Sequence, residues 1–330
     1  MSLFQESPFD RPPLPEQTTM NTLRHLICAL GVLVGLLGHT SLMAQPSEYT
    51  KEGADTCLGC HDDETPGGYS ASALFKTKHA QRLDKRSPFG QGGLQCEACH
   101  GPGAAHAKNK KAGSINTFKT DSSTSLAQRN ETCMGCHEGA ARTGWHASAH
   151  ERGNLACTDC HKVHQEHDPI LVKATQTNTC LSCHEQQRAD FHKTSAHPVS
   201  QGQMACSDCH AAHGSSSKGM LLKPTLNQTC FSCHADKRGP VLWEHAPVAE
   251  DCSLCHNPHG SVRPALLTKS PPLLCQQCHS PAGHPSVART GAGLPGAGGG
   301  GSIFLVGGSC TNCHTQVHGS NHPAGAKLMR

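Results

Sequence analysis

TCLSCHEQQRADFHKTSAHPVSQGQMACSDCHAAHG, residues 179–214, holds two copies of the pattern Cys-x-x-Cys-His. Cys180 and Cys183 precede His184, and Cys206 and Cys209 precede His210. Two thiols three positions apart share one helical turn, where they can add to the two vinyl groups of a haem. The next residue then places an imidazole on the iron. The stretch carries two spare histidines that matter as much: His197 between the motifs and His213 just after the second.

Working outward, the motif occurs ten times. The covalent anchors are Cys57 and Cys60, Cys96 and Cys99, Cys133 and Cys136, Cys157 and Cys160, and Cys180 and Cys183. The series continues with Cys206 and Cys209, Cys230 and Cys233, Cys252 and Cys255, Cys275 and Cys278, and Cys310 and Cys313. The proximal iron ligands are the histidines that follow: His61, His100, His137, His161, His184, His210, His234, His256, His279 and His314. Zinc ribbons and disulfides also use paired cysteines, but neither needs a histidine after every second one. Ten haem c groups are therefore expected, and the remaining cysteine of the 21, Cys28, lies in the leader.

Composition agrees. Only 35% of the 330 residues are hydrophobic and 4% aromatic, too little for an ordinary core of this size, while there are 26 histidines. One haem for roughly every 29 residues of the exported chain would supply the missing apolar surface, as staples do in small domains. The chain is expected not to fold without it. The formal charge of +3 does not point to nucleic acid. Propionates on ten haems would turn the loaded protein acidic.

Residues 1–44 read as a presequence. Arg24 and the apolar run Leu26–Leu37, closed by Ala44, have the layout of a secretory signal peptide. A second start at Met20 would make residues 1–19 a misassigned leader. The apolar run is short for a membrane span, so an exported protein is expected.

The second axial ligand can be counted. After export only Met134, Met204, Met220 and Met329 remain, too few for ten irons, whereas spare histidines suffice. Odd motifs mostly follow a threonine, and Asn or Asp one to three residues before the first cysteine suggests a capped helix start. Even motifs carry a downstream histidine, as in CTDCHKVH, CSDCHAAHG and CSLCHNPHG. Between odd and even motifs an aromatic precedes another histidine: Phe75 with His79, Trp145 with His150, Phe191 with His197, and Trp243 with His245. The distal set is then His79, His106, His150, His164, His197, His213, His245, His259, His284 and His318. His146 and His192 rival His150 and His197; the latter share a Ser-Ala-His context. His167 and His322 read as surface or supporting residues. His164 cannot reach the opposite face of the iron held by His161 and should serve a neighbour, as should His213 and His259.

Five dihaem repeats follow, a quasi-one-dimensional stack. Two insertions interrupt it. Residues 101–125 are rich in lysine (Lys108, Lys110, Lys111, Lys119) and read as a solvated loop; residues 290–308 are rich in glycine and read as a linker. An iron between two imidazoles has no open position for substrate, so a low-potential electron carrier is expected rather than an enzyme.

Ten CxxCH motifs with alternating CxxCHxxH, and the TCxSCH and CSxCHxPHG texture over residues 50–325, resemble the MtrA/PioA/DmsE decahaem cytochromes. The resemblance implies a multihaem cytochrome c fold, elongated, with short helices and loops around a linear haem stack and little or no sheet. It implies two pentahaem halves, 45–190 and 191–330, although the spacing also suits five dihaem repeats. A periplasmic protein inserted into an outer-membrane β-barrel partner is implied, carrying electrons across that membrane for metal reduction or oxidation. Other implied partners are a periplasmic or inner-membrane cytochrome donor or acceptor and an outer-surface cytochrome. Twelve residues between Ala44 and Cys57 match the MtrA or DmsE type better than PioA. A freely diffusing periplasmic shuttle to a terminal reductase, and a multihaem reductase with one open haem, are the competing readings.

Overall fold

The computed structural model describes residues 48–64, 71–110, 115–139, 142–280 and 309–329. The presequence, Lys111, His284 and the glycine-rich segment 290–308 lie outside the described residues. Glu48–Arg330 form one compact unit.

Short helices and turns make up this unit. Among the described residues there is no strand, only four isolated bridges: Ser195–Ser261, His210–Leu221, Trp243–Ser320 and His256–Leu267. The little-or-no-sheet architecture is thus the one observed. The first cysteine of each odd motif sits on a helix: α1 (Ala54–Leu58), α2 (Leu126–His137), α3 (Lys173–Leu181), α4 (Leu226–Cys230) and α5 (Pro271–Cys275). Even motifs occupy a single turn, as in Glu97–His100, Cys157–Cys160 and Cys206–Asp208. The motif itself dictates the turn. The histidine N–H donates to the first cysteine's carbonyl at 2.9–3.1 Å in nine motifs, and the tenth lies inside α2.

The Asn and Asp residues before the odd motifs are not the caps. Ser125 and Thr225 cap α2 and α4, accepting from the N–H of Gln128 and Gln228, while Gly53 and Val172 precede α1 and α3. Asn130, one turn inside α2, and Asn227, the second residue of α4, instead reach the following even motif. Asn130 accepts from Cys157 N at 2.9 Å and donates to the Leu155 carbonyl at 3.1 Å. Asn227 accepts from Cys252 N at 2.8 Å and donates to Val248 and Ala249. One amide side chain offers both an acceptor and donors, which satisfies a partly buried backbone that a cap residue could not reach.

Neighbouring repeats cross through the segments that carry spare histidines. Residues before His197 bridge to Ser261, and residues before His245 bridge to Ser320. The glycines after the even-motif histidines permit the crossing. Gly214 has φ +106°, and a β-carbon there would collide with the Gly144 backbone. Side-chain packing contributes little. Among the described residues eight hydrophobic residues are buried, three of them alanines, and no side chain is fully enclosed. Among the described residues one apolar cluster forms, from Ala54, Leu74 and Phe89.

Candidate functional site

Every described motif histidine but one faces a spare histidine from elsewhere in the chain. His61 lies against His106 with ring centres 6.3 Å apart, His137 against His79 at 5.9 Å, and His100 against His164 at 6.0 Å. His184 meets His150 at 6.1 Å, His161 meets His213 at 6.1 Å, and His234 meets His197 at 6.3 Å. His210 faces His259 at 6.1 Å, His279 faces His245 at 6.1 Å, and His256 faces His318 at 6.0 Å. Imidazole–metal bonds of about 2.0–2.1 Å, with each ring centre about 1.1 Å beyond its nitrogen, set the rings about 6 Å apart across one metal ion. Each such pair would hold one metal ion between its two rings. Among the described residues no three His, Cys, Asp or Glu side chains converge as a metal cluster. The residues present fit haem.

The second nitrogen of many of these rings is also held. Nδ1 of His150, His197 and His245 bonds the carbonyls of Ala212, Pro258 and Val317 at 2.8, 2.7 and 2.9 Å. Each carbonyl belongs to the residue just before the other spare histidine of the crossing, so the two spare rings are fixed together. On the motif side, Nδ1 of His100, His210, His256 and His314 bonds Asn116, Gly219, Ala265 and Lys327 carbonyls. A ring that donates its Nδ1–H would keep Nε2 free to hold a metal ion. Several of these carbonyls come from left-handed turns: Ala265 at φ +52°, Gly219 at φ +69° and Leu328, just after Lys327, at φ +55°. Burial pushes His164, His213, His259 and His318 below the ordinary imidazole range, favouring the neutral form that binds iron.

The cysteines order the sites. The thiol of each odd motif's first cysteine lies close enough to that of the following even motif to shift its ionisation: Cys57 with Cys96, Cys133 with Cys157, Cys180 with Cys206, Cys230 with Cys252, and Cys275 with Cys310. The neighbouring thiol holds Cys157 and Cys206 at about 7. The second cysteines link the other way. Cys99, Cys160, Cys209 and Cys255 are pushed up by burial and also by Cys136, Cys183, Cys233 and Cys278 of the next motif. The thiols of successive motifs therefore lie near one another from the first motif to the last in chain order. None of the twenty thiols is in a disulfide.

The rival histidines lie elsewhere. His146 pairs with Glu151 at 3.0 Å, His167 lies 3.9 Å from Glu166, and His322 Nδ1 accepts from Ala324 N. His192 caps the helix Glu185–Phe191. The aromatics pack on the crossing: Trp145 against His213 and Phe191 against His259. The lysine-rich segment does more than solvate. It supplies the Asn116 carbonyl to His100 and sets Phe118 edge-on to that ring at 5.5 Å, contacts no local motif announced.

Comparisons with known proteins agree with this geometry. A family model described as a doubled CXXCH motif matches residues 197–239 and 245–284, and one described as cytochrome c-type protein NrfB-like matches 96–175. The chain is 49% identical over 282 residues to the multiheme cytochrome MtrA of Shewanella baltica, covering 86% of this chain and 83% of that one. It is 26% identical over 172 residues to the C-type polyheme cytochrome OmcB of Geobacter sulfurreducens, 42% of this chain and 21% of that protein. Paired imidazoles, paired thiols and this similarity converge: the chain belongs to the MtrA family of multihaem c-type cytochromes, proteins of electron transport.

Proposed function

We propose that the protein binds ten haem c groups, each with two histidine ligands, and carries electrons along them from one end of the series to the other. The carrying observation is the set of nine imidazole pairs near 6 Å, strung together by thiol contacts in chain order. On this reading His106, His164, His79, His213, His150, His259, His197, His318 and His245 serve the first nine motifs in turn, and His284 serves His314. Between the two ends, His79, His150, His197 and His245 reach forward one repeat and His164, His213, His259 and His318 reach back one, while His106 and His284 close the terminal repeats on themselves. That pattern supports five interlocked dihaem repeats over a division at residue 190.

Haem supplies one-electron chemistry at iron; the chain fixes its axial ligands and closes the iron to substrate. An electron carrier without enzymatic activity follows. The family supports a periplasmic location after signal-peptide export. It also supports insertion into an outer-membrane β-barrel, with a periplasmic or inner-membrane cytochrome at one end and a surface cytochrome at the other. Among the described residues no helix is long and apolar enough to cross a membrane, so a partner would have to provide the passage.

Reconstitution tests this. The protein and whatever co-purifies in mild detergent are placed in liposomes enclosing a redox dye, and an external reductant unable to cross lipid is added. Dye reduction that requires both this chain and a barrel is the expected result. A protein that purifies alone and leaves the dye oxidised contradicts the conduit and favours a periplasmic shuttle.

A further inference from the structure

The even-motif histidines do not share one kind of second partner. At His100, His210, His256 and His314 the Nδ1 partner is a neutral backbone carbonyl, at 2.6–2.8 Å. At His161 it is a carboxylate: Nδ1 lies 2.7 Å from Asp168 Oδ2. The Asp168 side chain is 14% exposed, and its other oxygen accepts from the N–H of Lys162 at 3.1 Å and of Ile170 at 3.4 Å. Among the described residues no lysine or arginine pairs with it; the Lys162 ammonium is turned to the carbonyls of Thr158 and Asp159. Local sequence explains the difference. The other late even repeats run into a left-handed turn that aims a carbonyl at the ring, whereas here Asp168-Pro169 opens the 3-10 turn Pro169–Leu171 and Asp168 caps it.

We propose that Asp168 is a positioning residue that tunes the His161 site, making its iron favour the ferric state more than the other even sites do. A carboxylate accepting Nδ1–H draws that proton and pushes electron density to Nε2, which stabilises the more highly charged metal. A carbonyl does the same more weakly, because hydrogen bonds to an ionised acceptor are stronger. Since the sites follow chain order, the fourth becomes a step that electrons must climb in the middle of the series. The inference rests on the two-histidine ligation proposed above.

The test is a spectropotentiometric titration of the haem-loaded protein and of Asp168→Asn. Asparagine caps a turn as well as aspartate does and keeps an acceptor, so the charge is what is removed. In the variant, a component of one site in the series shifts to higher potential. At the parent's half-reduction point its reduced-to-oxidised ratio rises about tenfold, equivalent to about 59 mV for one electron. Asp168→Ser, a second neutral replacement, shifts in the same direction, while Asp84→Asn, which removes a partly exposed carboxylate paired with Arg86, leaves the curve on the parent's. Superposition of both Asp168 variants on the parent, or a shift to lower potential, overturns the proposal. Near-infrared magnetic circular dichroism of the parent separates the two failures. If it lacks the two-histidine band at this site, the ligation reading falls and this proposal with it; if the band is present and the curves superimpose, only the role of Asp168 falls.

Discussion

At the scale of the residue, two neighbouring histidines can have opposite fates. His150 faces His184 at 6.1 Å and is anchored through Nδ1 to Ala212, whereas His146, four residues earlier, spends its Nδ1 on Glu151 at the surface. His197 and His192 divide in the same way, with only His197 against a motif ring. Replacing His150 or His197 with alanine should therefore open one iron, giving a single high-spin ferric centre by electron paramagnetic resonance. Replacing His146 or His192 should leave the spectrum of the parent. A high-spin signal in His146→Ala but not His150→Ala would reverse the assignment. The Ser-Ala-His context singles out the same member of each pair that faces a motif ring. Asp168 gave no comparable sign, because a carboxylate seven residues after a motif histidine is ordinary in sequence and acquires meaning only where the turn folds back.

The elements are held by polar side chains to a degree that short apolar helices would not require. Asn227 joins α4 to the next motif through Cys252 N and the Val248 and Ala249 carbonyls, and it is buried. Asn227→Ala leaves those backbone groups without partners, at a cost of about 1–3 kcal/mol. A denaturation midpoint lowered by that amount, with haem content unchanged, is the expected result; an unchanged midpoint would show that the asparagine bridges are dispensable. Motif positions and the scarcity of sheet were legible in the residues because thioether chemistry admits one spacing. The helix caps were not. Asn130 and Asn227 carry the same local signature as a cap, and only the position of the following motif in space decides which backbone an amide serves.

For the whole molecule, the order of sites emerges from long-range pairing that no local pattern encodes. His164 passes over its own motif to meet His100, and His213 reaches back to His161, so each repeat is completed by its neighbour. Among the described residues the sparse core of eight buried hydrophobic residues is consistent with prosthetic groups providing much of the interior. The central claim is that every iron has two histidine ligands, and near-infrared magnetic circular dichroism of the fully oxidised protein, normalised to chain concentration, tests it most directly. The account predicts ten two-histidine low-spin haems per chain, with no histidine–methionine or high-spin band. Fewer than ten, or a high-spin component in the unaltered protein, would contradict it and return an open, reactive haem to consideration.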